Sequence, residues 1–345
     1  MKKSKTKLLI IFLILAIIAA GIVLAIKITN DQNVQNKEEE STAEPQEEQT
    51  VVEEKPKIFA GDSRPIAVMI DNSKDAWPQA GLNQAYIVYE IIVEGGETRL
   101  MALFKGQDLE KIGPVRSSRH YFLDYVLEND AIYTHFGWSP RAEYDIPKLG
   151  INNVNGLVES SEIFWRVKDK YSPHNAVTST AKILKSAESK KYRTTSTKES
   201  VLNYVTREVE LTDGLDANVV SIPHSQLQKV KYEYDVENKV YKRYARNKAQ
   251  TDWDTGAAVT TKNIIITFCN NINLPNDSSG RQDLKNIGTF DGYYITNGKA
   301  IKIKCIKESR EKQTIYQDAD GNKIEVNDGN TFIHICPIDA KVTIE

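Results

Sequence analysis

The feature that most constrains this chain is an uninterrupted apolar segment near its N-terminus. Residues 8–26 carry no charged side chain, four lysines precede them, and only Lys27 follows closely. A helix needs roughly 20 apolar residues to cross the hydrocarbon core of a bilayer. Because the flank that stays in the cytoplasm carries the excess of lysine, the pattern predicts a transmembrane anchor over residues 8–27 and a basic cytoplasmic end over residues 1–7.

A cleavable signal peptide and a buried helix of a soluble domain are the alternatives to an anchor. The apolar segment is longer than the roughly 7–15 residues of a typical signal-peptide core, which favours an uncleaved signal anchor. The small residues at positions 19–21 would still suit a peptidase. The neighbouring lysines argue against a buried soluble helix.

A disordered acidic tether is predicted over residues 28–60. Residues 31–57 contain eight glutamates among Gln, Thr and Asn, and no aromatic residue. Such a segment buries too little apolar surface to offset the entropy lost on ordering. Because the basic flank of the anchor stays in the cytoplasm, we expect the domains after the tether to be extracytoplasmic. The extended tether would hold them away from the membrane.

The charge and the cysteines of residues 58–345 exclude some classes of function. This region has a formal charge of −1, whereas nucleic-acid binding requires a basic face, so no nucleic acid is expected as a partner. Cys269, Cys305 and Cys336 are too few for a disulfide framework and are predicted to be buried thiols, with one bridged pair as the alternative. No close-spaced metal-ligand motif occurs, so neither a metal nor a cofactor is predicted.

The pattern after the tether predicts an α+β fold with two domains. A mixed α/β domain is expected over residues 61–205, because buried strands at 65–70, 86–94 and 97–104 precede helices at 117–128 and about 181–190. From residue 219 onwards, short strand-like runs alternate with Asn-Gly and Asp-Gly turns. This texture predicts a mostly antiparallel β domain over residues 206–345.

The Gly95-Gly96 pair predicts a two-residue hairpin loop, which would define a cluster of charges. Because side chains alternate between the faces of a strand, this register puts Glu90, Glu94, Glu97 and Arg99 on one face. The opposite face is apolar and is predicted to be core. The charged face is either a catalytic or ligand-binding cluster, or a set of solvated cross-strand pairs.

The start of the predicted helix at 117–128 is a candidate anion site. Ser117 or Ser118 would cap the helix, and the backbone N–H groups there would be joined by Arg116, Arg119 and His120. The alternative is an ordinary capped helix whose arginines pair with acidic side chains.

Two histidines in or beside loops are candidates for proton transfer. His135 lies in a short strand beside a Gly-Trp-Ser-Pro turn, and His174 lies in the loop Ser-Pro-His-Asn, whose Asn175 is a candidate ligand-binding residue. Histidines in such positions act as acids, bases or ligands, although a structural hydrogen-bonding role is the alternative. No role is assigned to His224 or His334.

Several ordered segments together resemble the YerB-like family of bacterial exported lipoproteins. They are RPIAVMIDN (64–72), VYEIIVEGGETR (88–99), IGPVRSSRHYF (112–122), DAIYTHFGWSP (130–140), FWR (164–166) and SPHNAVTS (172–179), with looser likeness at NIIITF (263–268) and GNTFIHICP (329–337). The resemblance implies a domain of unknown function followed by a smaller β-rich partner domain, in a bacterial envelope protein. It implies no reaction. Gly21 stands where a lipidated cysteine would be needed, so a membrane helix is expected in place of a lipid anchor.

The function predicted from these features is that of a single-pass cell-membrane protein with an extracytoplasmic C-terminal region. It would bind an anionic cell-wall component or a membrane-bound partner through Arg116 and Arg119, supported by Arg99. The alternative is an envelope hydrolase or transferase acting on a phosphorylated or glycan substrate. Its candidate acids, bases and proton-transfer groups would be Asp71, Glu90, Glu94, His135 and His174.

Overall fold

In the described part of the chain, the regular secondary structure is mostly β-strand, with few helices. The computed structural model describes residue 56 and residues 63–345, so the predicted anchor and nearly all of the tether lie outside the described residues. Among the residues that it does describe, no helix is both long and apolar enough to cross a membrane. The described residues belong to one compact unit.

The strands are β1 (Ile66–Asp71), β2 (Ile87–Ile92), β3 (Thr98–Phe104), β4 (Ile132–His135), β5 (Asn153–Asn155), β6 (Trp165–Arg166), β7 (Ala176–Val177), β8 (Tyr204–Val205), β9 (Leu215–Asp216), β10 (Val219–Pro223), β11 (Lys229–Asp235), β12 (Val240–Ala245), β13 (Lys248–Ala249), β14 (Thr260–Thr261), β15 (Asn263–Asn273), β16 (Gln282–Lys285), β17 (Gly288–Thr296), β18 (Lys299–Lys307), β19 (Ile315–Gln317), β20 (Val326–Asn327), β21 (Thr331–Pro337) and β22 (Thr343–Ile344). The helices are α1 (Phe122–Glu128), α2 (Pro140–Lys148) and α3 (Thr180–Ser189).

One mixed sheet of twelve strands takes strands from both ends of the described chain. Its order is β19-β18-β17-β15-β21-β2-β3-β1-β4-β5, with β16 and β9 attached beside β15 and β18. Strand β21 pairs in parallel with both β2 and β15, so it joins the earlier strands to the later ones. A six-stranded sheet, β13-β12-β11-β10-β22 with β14, and two small two-stranded sheets complete the fold.

Both faces of the large sheet are buried, as the continuous apolar run of β1 predicts. Ala67 and Met69 belong to one core cluster, which also contains side chains of α1. Val68 and Ile70 point the other way, into a second cluster that contains residues of α3 and of the six-stranded sheet. The large sheet is therefore the middle layer of the part of the chain that the structure describes.

The predicted two-residue hairpin between β2 and β3 is wrong by one residue. Ile91 faces Arg99 and Glu90 faces Leu100, while the N–H of Val93 donates to the carbonyl oxygen of Glu97 across the loop. The loop therefore consists of three residues, Glu94, Gly95 and Gly96, rather than two. Both glycines take positive φ, which glycine adopts without strain. A slip of one residue moves a side chain to the opposite face, and Glu90 therefore does not share a face with Arg99.

The predicted helix at 117–128 begins only at Phe122, and neither Ser117 nor Ser118 caps it. The N–H of Arg116 donates to the carbonyl oxygen of Met69, and the N–H of Ser118 donates to that of Gly137. Residues 115–118 thus follow the ends of β1 and β4 in sheet-like fashion, and the predicted helix start with its serine cap is wrong.

Two other local predictions are confirmed. Helix α3 follows Ser179, whose hydroxyl accepts a hydrogen bond from the N–H of Lys182. The three cysteines are buried and free.

Candidate functional site

Three predicted site residues meet at the end of β1, and we call Asp71, Arg116 and His174 the Asp71 site. Oδ2 of Asp71 lies 2.8 Å from Nδ1 of His174 and 3.1 Å from Nε of Arg116. Oδ1 accepts a hydrogen bond from the N–H of Ser73 at 3.0 Å. One carboxylate therefore holds both an imidazole and a guanidinium.

Each member of the Asp71 site comes from a different segment. Strand β1 ends at Asp71, the extended stretch beside it supplies Arg116, and the loop between β6 and β7 supplies His174. Asn175, predicted as a ligand residue, instead holds this loop. Its Nδ2 donates to the carbonyl oxygens of Val167 and Lys170, and its Oδ1 accepts from Arg166.

The carboxylate of this site is ionised and lies beneath its two partners. Burial acts to raise the pKa of Asp71, but the Ser73 N–H, the charge of Arg116 and His174 outweigh it and hold the pKa below its ordinary value. An ionised carboxylate only accepts hydrogen bonds, so Nδ1 of His174 carries the proton. The side chain of Asp71 is 5% exposed, whereas those of Arg116 and His174 are 27% and 21% exposed.

Arg99 connects this site to a second group of charges. It lies opposite Asp71 across β1 and β3, and its Nη1 donates to the carbonyl oxygen of Ser117 at 2.7 Å. Glu94 pairs with Arg119 and lies 3.8 Å from Nη2 of Arg99. Burial, together with the charges of Arg119 and Arg116, lowers the pKa of Arg99 to about 10.

Arg119 also lines a small cavity of about 160 Å³, which we call the arginine pocket. The other residues of this pocket that matter here are His120, Arg141 and Arg281. Arg141 pairs with Asp283 at 3.2 Å, and Arg281 pairs with Asp277 at 2.9 Å. Arg281 also lies 4.0 Å from Glu94.

His120 borders this pocket but is almost wholly buried. Its Nε2 lies 2.8 Å from Oδ1 of Asp283, and burial, opposed by that carboxylate, lowers the pKa of the ring. A neighbouring cavity of about 220 Å³ is lined by His120, Arg141 and Asp283 as well, together with Arg310 and Lys285. The two cavities therefore adjoin at His120.

Three other predicted residues serve the framework. The hydroxyl of Ser117 donates to the carbonyl oxygen of Phe136, and that of Ser118 accepts from Tyr133. His135 is fully buried, its Nδ1 donates to the carbonyl oxygen of Gly137, and burial lowers its pKa to about 4. The structure does not bring His135 to a surface where it would meet a substrate.

Glu90 lies in a separate buried network that is not among the sites predicted from the sequence. Its Oε2 is 2.6 Å from Nη2 of Arg243, and its Oε1 accepts from Thr98 at 2.7 Å. His334 lies 3.5 Å from the same Oε2 and 3.0 Å from His224. The Tyr232 hydroxyl lies 2.9 Å from Nε2 of His334. A histidine within an apolar strand, as in TFIHICP, is the one local signal of this network.

Glu90, His224 and His334 have the composition of a metal-ligand set, and their ligand atoms lie within 4.8 Å of one another. Arg243, however, already occupies the carboxylate oxygen that a metal would need. A guanidinium at that position repels a second cation, and Arg243 and Glu90 have fully buried side chains. The chemistry of this donor set favours a structural network over a metal centre.

Comparison with known proteins places these features in a family. Residues 52–193 match the family described as "Protein of unknown function (DUF3048) N-terminal domain", and residues 220–333 match the corresponding C-terminal domain. The chain is 32% identical over 276 residues to "Putative lipoprotein YerB" of Bacillus subtilis (strain 168), covering 80% of this chain and 82% of the relative. The crystal structure of YerB from the same organism matches with a TM-score of 0.73 and 31% identity, over 84% of this chain and 97% of that one. The chain therefore belongs to the YerB family of two-part DUF3048 proteins.

Proposed function

We propose that this protein is a membrane-anchored extracytoplasmic envelope protein that binds an anionic cell-wall component through a row of arginines beginning at Arg116. The lipoprotein description of its relative supports an envelope location. The apolar segment at residues 8–27 supplies the anchor in this proposal.

The observation that carries the proposal is the free end of Arg116. Among the described residues, the ion pair of Arg116 with Asp71 uses Nε, and no other side chain engages its two terminal nitrogens. A guanidinium presents paired donors that match the oxygens of a phosphate or a carboxylate. Asp71 fixes this guanidinium from below, so little side-chain entropy remains to be lost when an anion binds.

The arrangement of the other arginines favours a ligand with more than one anionic group. Arg99 lies close enough to act electrostatically on both Arg116 and Arg119, and Arg119 lines the arginine pocket with Arg141 and Arg281. A polymer that carries repeated phosphates or carboxylates would meet the Asp71 site with one group and the arginine pocket with another. Linking the two contacts strengthens binding without any new type of interaction.

Isothermal titration of the full chain in a neutral detergent tests this proposal, with inorganic phosphate and inorganic tripolyphosphate as probes. A hydrogen bond to a charged group contributes about 1.5–3 kcal/mol, so Arg116→Ala is expected to weaken both ligands about 10- to 100-fold. A double Arg141→Ala, Arg281→Ala variant is expected to weaken tripolyphosphate only.

The matched control for these variants is Arg207→Ala, which removes an exposed arginine that pairs with Glu325. It is expected to leave both affinities unchanged. Failure of both probes to bind the unmodified chain would contradict anion binding and would favour a membrane-bound protein as the partner. Equal affinities for the unmodified chain and Arg116→Ala would place the anion elsewhere.

A further inference from the structure

The second free group of the Asp71 site is Nε2 of His174. Nδ1 faces Asp71, and Ser73 Oγ lies 3.0 Å from this same nitrogen. Among the described residues none forms a hydrogen bond with Nε2, and the ring is partly exposed. A neutral imidazole whose Nδ1 carries the proton presents a lone pair at Nε2, which is the form that accepts a proton.

His174 and Arg116 both contact the same oxygen of Asp71, and each side chain keeps its other nitrogen atoms free of this carboxylate oxygen. This placement puts a base beside a group that binds anions. From it we propose that the Asp71 site hydrolyses phosphate diesters, with His174 as the general base and Arg116 as the group that binds the phosphoryl oxygens. The inference rests on the proposed function, since the substrate must first bind at Arg116.

The geometry argues against the other hydrolytic reactions that such a site would suggest. Hydrolysis of a glycoside by two carboxyl groups requires one of them to be a proton donor, with a raised pKa. Asp71 and Glu94 both have pKa values below the ordinary range, because neighbouring cations and N–H groups outweigh the effect of burial. Hydrolysis of an acyl ester by a serine requires the hydroxyl beside the free ring nitrogen, whereas Ser73 lies beside Nδ1.

The proposed step consumes one water molecule. Nε2 of His174 takes a proton from water as the water oxygen forms a new bond to phosphorus. The bond between phosphorus and the leaving oxygen breaks, and the imidazolium returns the proton to that oxygen. The products are a phosphate monoester and an alcohol, and no oxidant or reductant is needed. Arg116 stabilises the charge that develops on the phosphoryl oxygens.

Asp71 is a positioning residue in this proposal. It keeps the proton on Nδ1 and fixes the ring, and it stabilises the imidazolium once the proton has been taken. The other charged or polar groups near this carboxylate are Arg116, Ser73 and, at longer range, Arg99 and Lys170.

Chemical modification tests whether Nε2 of His174 is free. The chain has five histidines, and His120, His135, His224 and His334 are each at most 4% exposed. Diethyl pyrocarbonate is therefore expected to modify one histidine rapidly in the folded full chain, and His174→Gln is expected to abolish this fast phase. A fast phase that persists in His174→Gln would show that His174 is not the free imidazole.

Hydrolysis of bis(p-nitrophenyl) phosphate by the full chain in neutral detergent tests the activity. General base catalysis contributes about 10²- to 10⁴-fold, so His174→Gln is expected to lower kcat by at least about 100-fold while KM stays within a factor of two or so. Asp71→Asn is expected to lower kcat and, because Asp71 also holds Arg116, to raise KM, and Asp71→Glu is expected to restore part of both. Tyr171→Phe, in the same loop and 88% exposed, is the control and is expected to leave kcat unchanged.

The outcomes separate this inference from the proposed function. Tight phosphate binding at Arg116 without turnover of the diester would overturn the hydrolytic role and leave anion binding intact. Turnover that is equal in His174→Gln and the unmodified chain would also overturn it. Absence of both phosphate binding and turnover would overturn the two proposals together.

Discussion

Replacing Arg243 by methionine is expected to destabilise the fold strongly, because it leaves Glu90 charged and unpaired inside the protein. Both side chains are fully buried, and the change removes the 2.6 Å contact between Nη2 and Glu90 together with the hydrogen bond from Nε to Tyr232. Removing one partner of a buried pair costs about 3–5 kcal/mol. We expect the free energy of unfolding to fall by about that amount at pH 7, measured by urea denaturation with tryptophan fluorescence.

The sign of the pH dependence follows from the pKa of Glu90. Burial acts to raise that pKa, but Arg243, the two histidines and Thr98 outweigh it and lower the value from 4.5 to about 2. A carboxyl group with a depressed pKa adds stability above pH 4.5, and this stability is lost as the pH falls towards 2. In Arg243→Met the largest opposing charge is absent, so the deficit relative to the unmodified chain is expected to shrink as the pH is lowered.

Two further variants test whether the unpaired charge of Glu90 causes the loss of stability in Arg243→Met. A double Glu90→Gln, Arg243→Met variant removes both charges and is expected to recover most of the lost stability. Arg246→Met, which breaks a partly exposed pair with Glu97, is expected to cost only about 0–1 kcal/mol. A cost below about 1 kcal/mol for Arg243→Met, or strictly additive single costs in the double variant, would refute the unpaired-charge argument.

Three other predictions concern local features. Ser179→Ala removes the cap of α3 and is expected to cost about 1 kcal/mol in urea denaturation, with Ser189→Ala, at the other end of the helix, as its control. None of the three buried cysteines is expected to react with Ellman's reagent until urea unfolds the chain; fast reaction of the native protein would contradict their burial. His135 has a pKa of about 4 when folded and 6.5 as its ordinary value, so its neutral form adds stability above pH 6.5 that is lost as the pH falls towards 4. His135→Gln is expected to flatten that part of the stability profile, and an unchanged profile would argue against the buried neutral ring.

The parts of the fold that depend on neighbouring residues could be predicted from the sequence. The apolar run of β1 requires burial on both faces, and Ser179 precedes a helix for which it is a favourable cap. Neither conclusion needs knowledge of a distant partner.

Two local predictions are wrong, the helix start at residues 117–118 and the length of the β2–β3 loop. In the first case, hydrogen bonds to residues distant in sequence determine the structure. Residues 115–118 lie beside β1 and β4 because the carbonyl oxygens of Met69 and Gly137 accept their N–H groups, and no local pattern shows those acceptors. In the hairpin, the loop has one residue more than predicted, and Glu90 consequently lies on the opposite face of the sheet from Arg99.

The sequence indicates the residue types of the candidate site and the pairing of its arginines with acidic side chains, but not the histidine that joins them. Asp71 and His174 are separate candidates in the sequence, and only the fold shows that their side chains touch. Glu90 is a candidate as well, but its partners Arg243 and His334 come from β12 and β21, far along the chain.

The position of β21 has a consequence for how the chain acquires its structure. This strand lies between β2 and β15, yet it is made after both of them. Until it arrives, β2 and β15 each present an open edge of unpaired backbone groups, and such edges invite pairing with other chains. Completing the large sheet therefore depends on pairing β21 with strands that are very distant in sequence, and such contacts favour slow folding. In a chain that emerges progressively from a ribosome or a membrane channel, the central seam of the large sheet is among the last parts to form.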